Sequence, residues 1–200
     1  MFSSRPLALV PSLVLLFLPS LCLAHSGAAV DGLTGGFVSG FMHPVLGWDH
    51  VAAMVAVGLW GAFLGAPAIW VLPVAFPLIM ALGGMFGVLG IPLPMVESGI
   101  ALSSIVLGLL IAFAVRAPLP VALVVIGAFA VFHGHAHGTE LPQAANPVAY
   151  SIGFVVSTGL LHLAGIMIGL LASLPLGRPA VRAGGVVVTL VGFGFLFGVV

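Results

Sequence analysis

Charge is almost absent from this chain. Four arginines, no lysine and four acids are all that 200 residues supply, beside 62% hydrophobic residues, where an average globular chain is roughly 25% charged. So few charges cannot coat a water-facing surface, nor can they neutralise a run of phosphates. A nucleic-acid binder, a soluble enzyme and a disordered tail are excluded on that ground. A mean hydropathy of +1.39 makes the bilayer the solvent, so the expected fold is an all-α membrane protein. The single cysteine, Cys22, allows no intrachain disulfide and no thiolate cluster. Against this background seven histidines stand out, because they outnumber the acids.

Met1 to Ala24 reads as a cleavable N-terminal signal peptide (residues 1–24). Arg5 supplies the positive start, Leu7 to Leu18 the apolar stretch, and Cys22-Leu23-Ala24 the small residues at −3 and −1. Pro11 and Pro19 weaken it as a permanent helix. Cleavage is expected after Ala24, and the alternative is an uncleaved seventh helix. Cleavage would leave His25 at the new N-terminus, where its amine and imidazole together form a candidate chelating pair. The plainer reading is an ordinary terminal histidine.

Residues 25–200 are expected to form a single six-helix transmembrane domain. A span needs about 20 apolar residues, and the chain divides at its Pro, Gly and Arg positions into spans at about 35–64, 68–89, 95–115, 119–138, 147–174 and 181–200. Asn146-Pro147 has the form of an N-cap and first-turn pair. With a cleaved signal the N-terminus lies outside, in the periplasm. Arg116 and the Arg178/Arg182 pair then fall in cytoplasmic connections, as the positive-inside rule requires. That makes the expected location the bacterial inner membrane, crossed several times. Glycines recur at fourfold spacing, as Gly36/Gly40, Gly61/Gly65, Gly83/Gly87, Gly165/Gly169 and Gly194/Gly198. In lipid this spacing marks helix-packing faces. No phosphate-binding G-x-x-x-x-G-K-[ST] is present, so no nucleotide is expected as a partner.

Ionisable groups inside a membrane are costly and mark either function or a tight internal partner. Two clusters qualify. The first is His43-Pro44-Val45-Leu46-Gly47-Trp48-Asp49-His50, and the second is Phe132-His133-Gly134-His135-Ala136-His137-Gly138-Thr139-Glu140. A lone His162 lies in the fifth span. On a regular helix His43 and His50 would share a face but stand about 10.5 Å apart, too far for one ion. Either the helix breaks near Pro44 and Gly47 so that they converge, or His43 serves a separate outer station. His133, His137 and Glu140 form one stripe, while His135 points about 160° away from His133. His43 and His137 lie towards the outer face, and Asp49, His50 and His162 near the middle. Imidazole with carboxylate suits Ni²⁺, Co²⁺, Zn²⁺ or Cu²⁺ better than Mg²⁺ or Ca²⁺.

Most other features have bland readings. His162 and the Asp49-His50 pair could serve packing alone, and the His133/His137/Glu140 stripe could be a hydrated helix end. Asp31 and Glu97 read as solvated outer residues, although Glu97 could also collect cations. Trp48, Trp60 and Trp70 read as anchors or packing residues, with Trp60 and Trp70 flanking the inner interface. Met54 and Met80 read as core.

His43-x5-Asp49-His50 and Phe132-His133-Gly134-x-Ala136-His137-Gly138-x-Glu140 resemble the two motifs of the HupE/UreJ family, small nickel/cobalt permeases associated with hydrogenase and urease maturation. The resemblance covers nearly the whole chain. It implies a secondary transporter, not an enzyme, importing Ni²⁺ or Co²⁺ as substrate, with no permanent cofactor. It also implies His43, Asp49, His50, His133, His137 and Glu140 as the functional set. His135 occupies a variable motif position, so it and His162 remain lesser candidates. The competing readings are a membrane-embedded metalloenzyme, which needs a larger convergent ligand set, and a haem-binding electron-transfer subunit. A passive subunit of a larger complex is a further reading, and homo-oligomerisation stays open.

Overall fold

The computed structural model describes residues 33–141 and 146–199, which are helical with no strand among them. The expected signal peptide, its cleavage site, His25 and Asp31 lie outside the described residues. Seven helices follow in order: α1 (Leu33–Leu46), α2 (Trp48–Leu64), α3 (Ala68–Val88), α4 (Val96–Ala112), α5 (Leu119–Glu140), α6 (Pro147–Leu170) and α7 (Gly177–Leu196). A 3-10 turn, Leu171–Ser173, extends α6.

The span expected at 35–64 is two helices. α1 and α2 meet at an 80° bend, and only Gly47 separates them, with φ −88° and ψ 106°. That backbone is open to any residue, so conformation alone does not demand glycine here. Space favours it: a Cβ would sit 2.9 Å from Asp49 Oδ1 and 3.1 Å from His50 Nδ1, so those two side chains would have to shift. The absent side chain makes room for the two that follow it.

α3, α5, α6 with its 3-10 extension, and α7 are each long and apolar enough to cross a membrane. α1 and α2 pass the same test as a bent pair, and α4 is a shorter apolar helix of 17 residues. The chain is therefore a multi-pass membrane protein. The lipid-like solvent shows in α3, which buries Ala68, Leu72, Phe76 and Met80 at fourfold spacing and turns Val74, Leu78 and Leu82 outward. α2 behaves differently. Ten of its 17 residues are buried, because it packs against α3, α4, α6 and α7 and forms the centre of the bundle. The most extensive pairings are α3 with α5, α4 with α7, and α6 with both α1 and α2.

Glycine sets the closest of these approaches. A Cβ at Gly134 or Gly138 of α5 would overlap the backbone carbonyls of Met80 and Gly84 on α3. Close backbone approach of this kind supplies the van der Waals contact that drives association in lipid. Of the expected glycine pairs, Gly36/Gly40, Gly83/Gly87 and Gly165/Gly169 do meet a neighbouring helix. Gly65 and Gly198 instead follow helix ends with positive φ and meet nothing.

At α6 the expected cap is present: Asn146 Oδ1 accepts from the Ala149 N–H at 2.9 Å, with Pro147 in the first turn. α7 begins earlier than its hydropathy suggests, so Arg178 and Arg182 belong to its first turns rather than to a connection. Arg182 Nε donates to the Ala112 carbonyl at 2.7 Å, and Arg116 lies 5.5 Å from the Phe63 ring centroid. The described arginines thus gather at the end where α2 and α4 finish and α7 begins. Glu97 and Glu140 mark the other end. Trp60 is fully buried, and its indole N–H donates to the Val115 carbonyl at 3.1 Å. It is a packing residue rather than part of an interfacial belt, whereas Trp48 and Trp70 are exposed.

Candidate metal centre

The 80° bend brings the last turn of α1 back over the first turn of α2, so His43 and His50 converge despite their spacing in sequence. Their ring centroids are 5.9 Å apart. α5 supplies the third imidazole: His137 lies 4.9 Å from His43 and 4.6 Å from His50, centroid to centroid. One ring nitrogen from each of His43, His50 and His137 falls within 4.8 Å of the other two. Three ligands on a common ion with bonds near 2.1 Å stand at most about 4.2 Å apart. Small rotamer adjustments would close the difference.

Carboxylates flank this triad. Glu140 Oε2 is 3.3 Å from His43 Nε2 and 3.7 Å from His137 Nδ1, at the half-exposed mouth. Asp49 Oδ1 is 2.8 Å from His50 Nδ1, which leaves the other ring nitrogen of His50, Nε2, buried without a partner. Both ring nitrogens of His137 are likewise buried and unpartnered. A buried polar atom left without a partner costs roughly 1–3 kcal/mol, and most native structures avoid it. Several in one place point to a ligand for these lone pairs.

His133 stands one step deeper, 5.2 Å from His50 between ring centroids and fully buried. Its Nε2 is 3.0 Å from Ser103 Oγ, and Ser103 donates its only proton to the Ile100 carbonyl at 2.6 Å. The hydroxyl can therefore only accept from the imidazole. This assigns the proton to His133 Nε2 and leaves the Nδ1 lone pair free, without a partner. An outer hydrogen bond that fixes the tautomer is the usual support of a metal-binding histidine.

Of the other candidates, His135 Nε2 lies 2.8 Å from the Ile91 carbonyl, turned away from the triad as its helical position implies. His162 is buried on α6 with both ring nitrogens unpartnered. The Phe76 ring stands between it and His133, with centroids 5.6 and 5.7 Å away. Ser103, Phe76, Tyr150 and Phe154 are residues that sequence reasoning missed. Phe154 packs 4.3 Å from His137 and Tyr150 6.0 Å from His43, measured between ring centroids. Tyr150 is the chain's single tyrosine, which was the one available signal.

The segments that converge are the two that carried the motif resemblance, and comparison with known proteins agrees. The profile of the family described as HupE / UreJ protein matches residues 13–195. The chain belongs to the HupE/UreJ family. A HupE/UreJ relative, Protein HupE of Rhizobium leguminosarum bv. viciae, is 46% identical over 187 residues, which is 94% of this chain and 96% of the relative. No solved structure matches. The HupE/UreJ match extends from before α1 almost to the end of α7.

Proposed function

We propose that this protein is a permease of the bacterial inner membrane that imports Ni²⁺ or Co²⁺ from the periplasmic side, for use in maturing a metalloenzyme such as hydrogenase or urease. The observation that carries the reading is the convergence of His43, His50 and His137 from three helices, with carboxylates on its rim. Mixed imidazole and carboxylate donors suit late first-row divalent ions. A neutral-histidine site dehydrates an ion without caging it, as conduction requires.

In this reading the bent α1–α2 pair counts as one span and α4 as another, which makes six with α3, α5, α6 and α7. The arginine-bearing end faces the cytoplasm, in keeping with the positive-inside rule. Glu140 and His43 meet the ion at the periplasmic mouth, His50 and His137 complete its first station, and His133 receives it next. Two charges moving inward gain about 4.6 kcal/mol per 100 mV of membrane potential. That supply suffices for secondary transport, so the path needs no catalytic residue, no nucleotide and no resident cofactor.

The test is uptake of labelled nickel and cobalt into cells carrying the wild type, His50→Ala or Asp49→Ala, with membrane insertion checked by immunoblot. Both variants should insert normally and accumulate no metal above the empty-vector background. Wild-type accumulation in both would refute the assignment.

A further inference from the structure

The triad and His133 occupy only the outer half of the bundle. Counting helix rise from the mouth, His137 lies about 4.5 Å deep and His133 about 10.5 Å. Phe76, twelve residues from the end of α3, and His162, fifteen residues into α6, fall at about 18 Å and about 22 Å. The five rings therefore follow one another inward, each in contact with the next: His137 with His50, His50 with His133, His133 with Phe76, and Phe76 with His162.

The surroundings of His162 are polar in a way that helix packing does not require. Neither of its nitrogens makes a hydrogen bond of good geometry, nor does the hydroxyl of Thr158, and both side chains are buried. Thr158 precedes His162 by four residues, which places the two on one face of α6. Opposite them is α3, which carries Pro73 and Pro77 inside its length. Pro77 has no N–H to give to the carbonyl four residues back, so the Pro73 carbonyl is released from the helical ladder and turns to the His162 ring as its nearest polar neighbour. An imidazole, a hydroxyl and a freed carbonyl thus face the same α3–α6 contact near the middle of the bundle. Backbone carbonyls left outside the helical ladder are a recurrent source of ion ligands at the centre of transporters.

We propose that His162, with Thr158 Oγ1 and the Pro73 carbonyl, forms a second, inner binding station for the transported divalent ion, separated from the outer imidazoles by the Phe76 ring. The proposal rests on the permease reading and adds the cytoplasmic half of its route. Four outer imidazoles without an inner acceptor would leave the ion about halfway across. An inner donor set poorer in nitrogen than the outer one also favours release over retention.

Two variants test it, both in a Cys22→Ser background. His162→Phe fills the same space with an apolar ring. It should lower nickel and cobalt uptake by about tenfold or more, while His50-dependent cobalt absorption from the outer site persists in purified protein. His162→Cys replaces the nitrogen donor with sulfur. On cobalt loading it should show a thiolate-to-cobalt charge-transfer band in the near ultraviolet, which a merely structural role would not produce. A smaller loss of uptake in His162→Phe, or an outer site loaded with cobalt but no thiolate band in His162→Cys, overturns the inner station. Should His162→Phe also lose outer-site absorption, the band decides alone. If the wild type itself takes up neither metal, the permease reading fails, and that outcome is distinct from both of the others.

Discussion

Gly134→Ala isolates the contribution of the α3–α5 approach to the site. The added methyl would lie inside the contact radius of the Met80 carbonyl and against the backbone nitrogen of Gly84. Neither is a flexible side chain that can swing aside. Restoring an ordinary separation of about 3.5 Å forces the helices apart by about 1 Å or more, with an overpacking cost of about 1–3 kcal/mol. Gly134 adjoins His133 and lies one turn from His137, so both imidazoles move with their helix. Metal–ligand bonds tolerate displacements of only about 0.2 Å, so a shift of this size should weaken cobalt binding at the triad by at least about tenfold. The assay is titration of purified protein with Co²⁺, followed by its visible absorption. Gly159→Ala is the matched control: nothing lies within 4 Å of its added methyl, and it should leave the affinity unchanged. Equal affinities for both variants would refute the claim that glycine-mediated contact positions these histidines.

Two further substitutions separate support from ligation. Ser103→Ala removes the acceptor that holds the His133 proton on Nε2, and a loss of such support typically costs 10–100-fold in metal affinity. Cobalt titration of Ser103→Ala should therefore fall short of wild type on that scale in whatever binding involves His133, while triad binding remains. His135→Ala breaks only the bond to the Ile91 carbonyl. It should cost about 1 kcal/mol of stability in a thermal melt and leave metal uptake at the wild-type level.

The all-helical membrane character and both polar clusters were legible in the sequence, because charge in lipid is rare enough to read singly. The bend between α1 and α2 was half legible. Pro44 and Gly47 allowed a break, yet the same residues in a continuous helix would have set His43 and His50 a turn and more apart. Only the packing of α1 on α6 and of α2 at the bundle centre decides between these. Ser103 was invisible for a different reason. A serine in an apolar helix has a neighbouring carbonyl as its default partner, and Ser103 does bond to one while also accepting from His133. Phe76 and Phe154 matched every other aromatic core residue until a histidine was found against each. Gly134 and Gly138 also share fourfold spacing, but their effect depends on what α3 offers opposite them.

α1 is joined to α2 through one residue but leans on α6. A Cβ at Gly40 would overlap the Tyr150 backbone, and one at Gly153 would overlap the Phe37 carbonyl. His43 is thus steered by a helix that is remote in the chain. Because α6 packs as closely on α2 as on α1, it holds His43 and His50 in one frame, and any shift of α6 would move that pair together against His137 on α5. The grip on a captured ion would then loosen or tighten with no side chain leaving its rotamer.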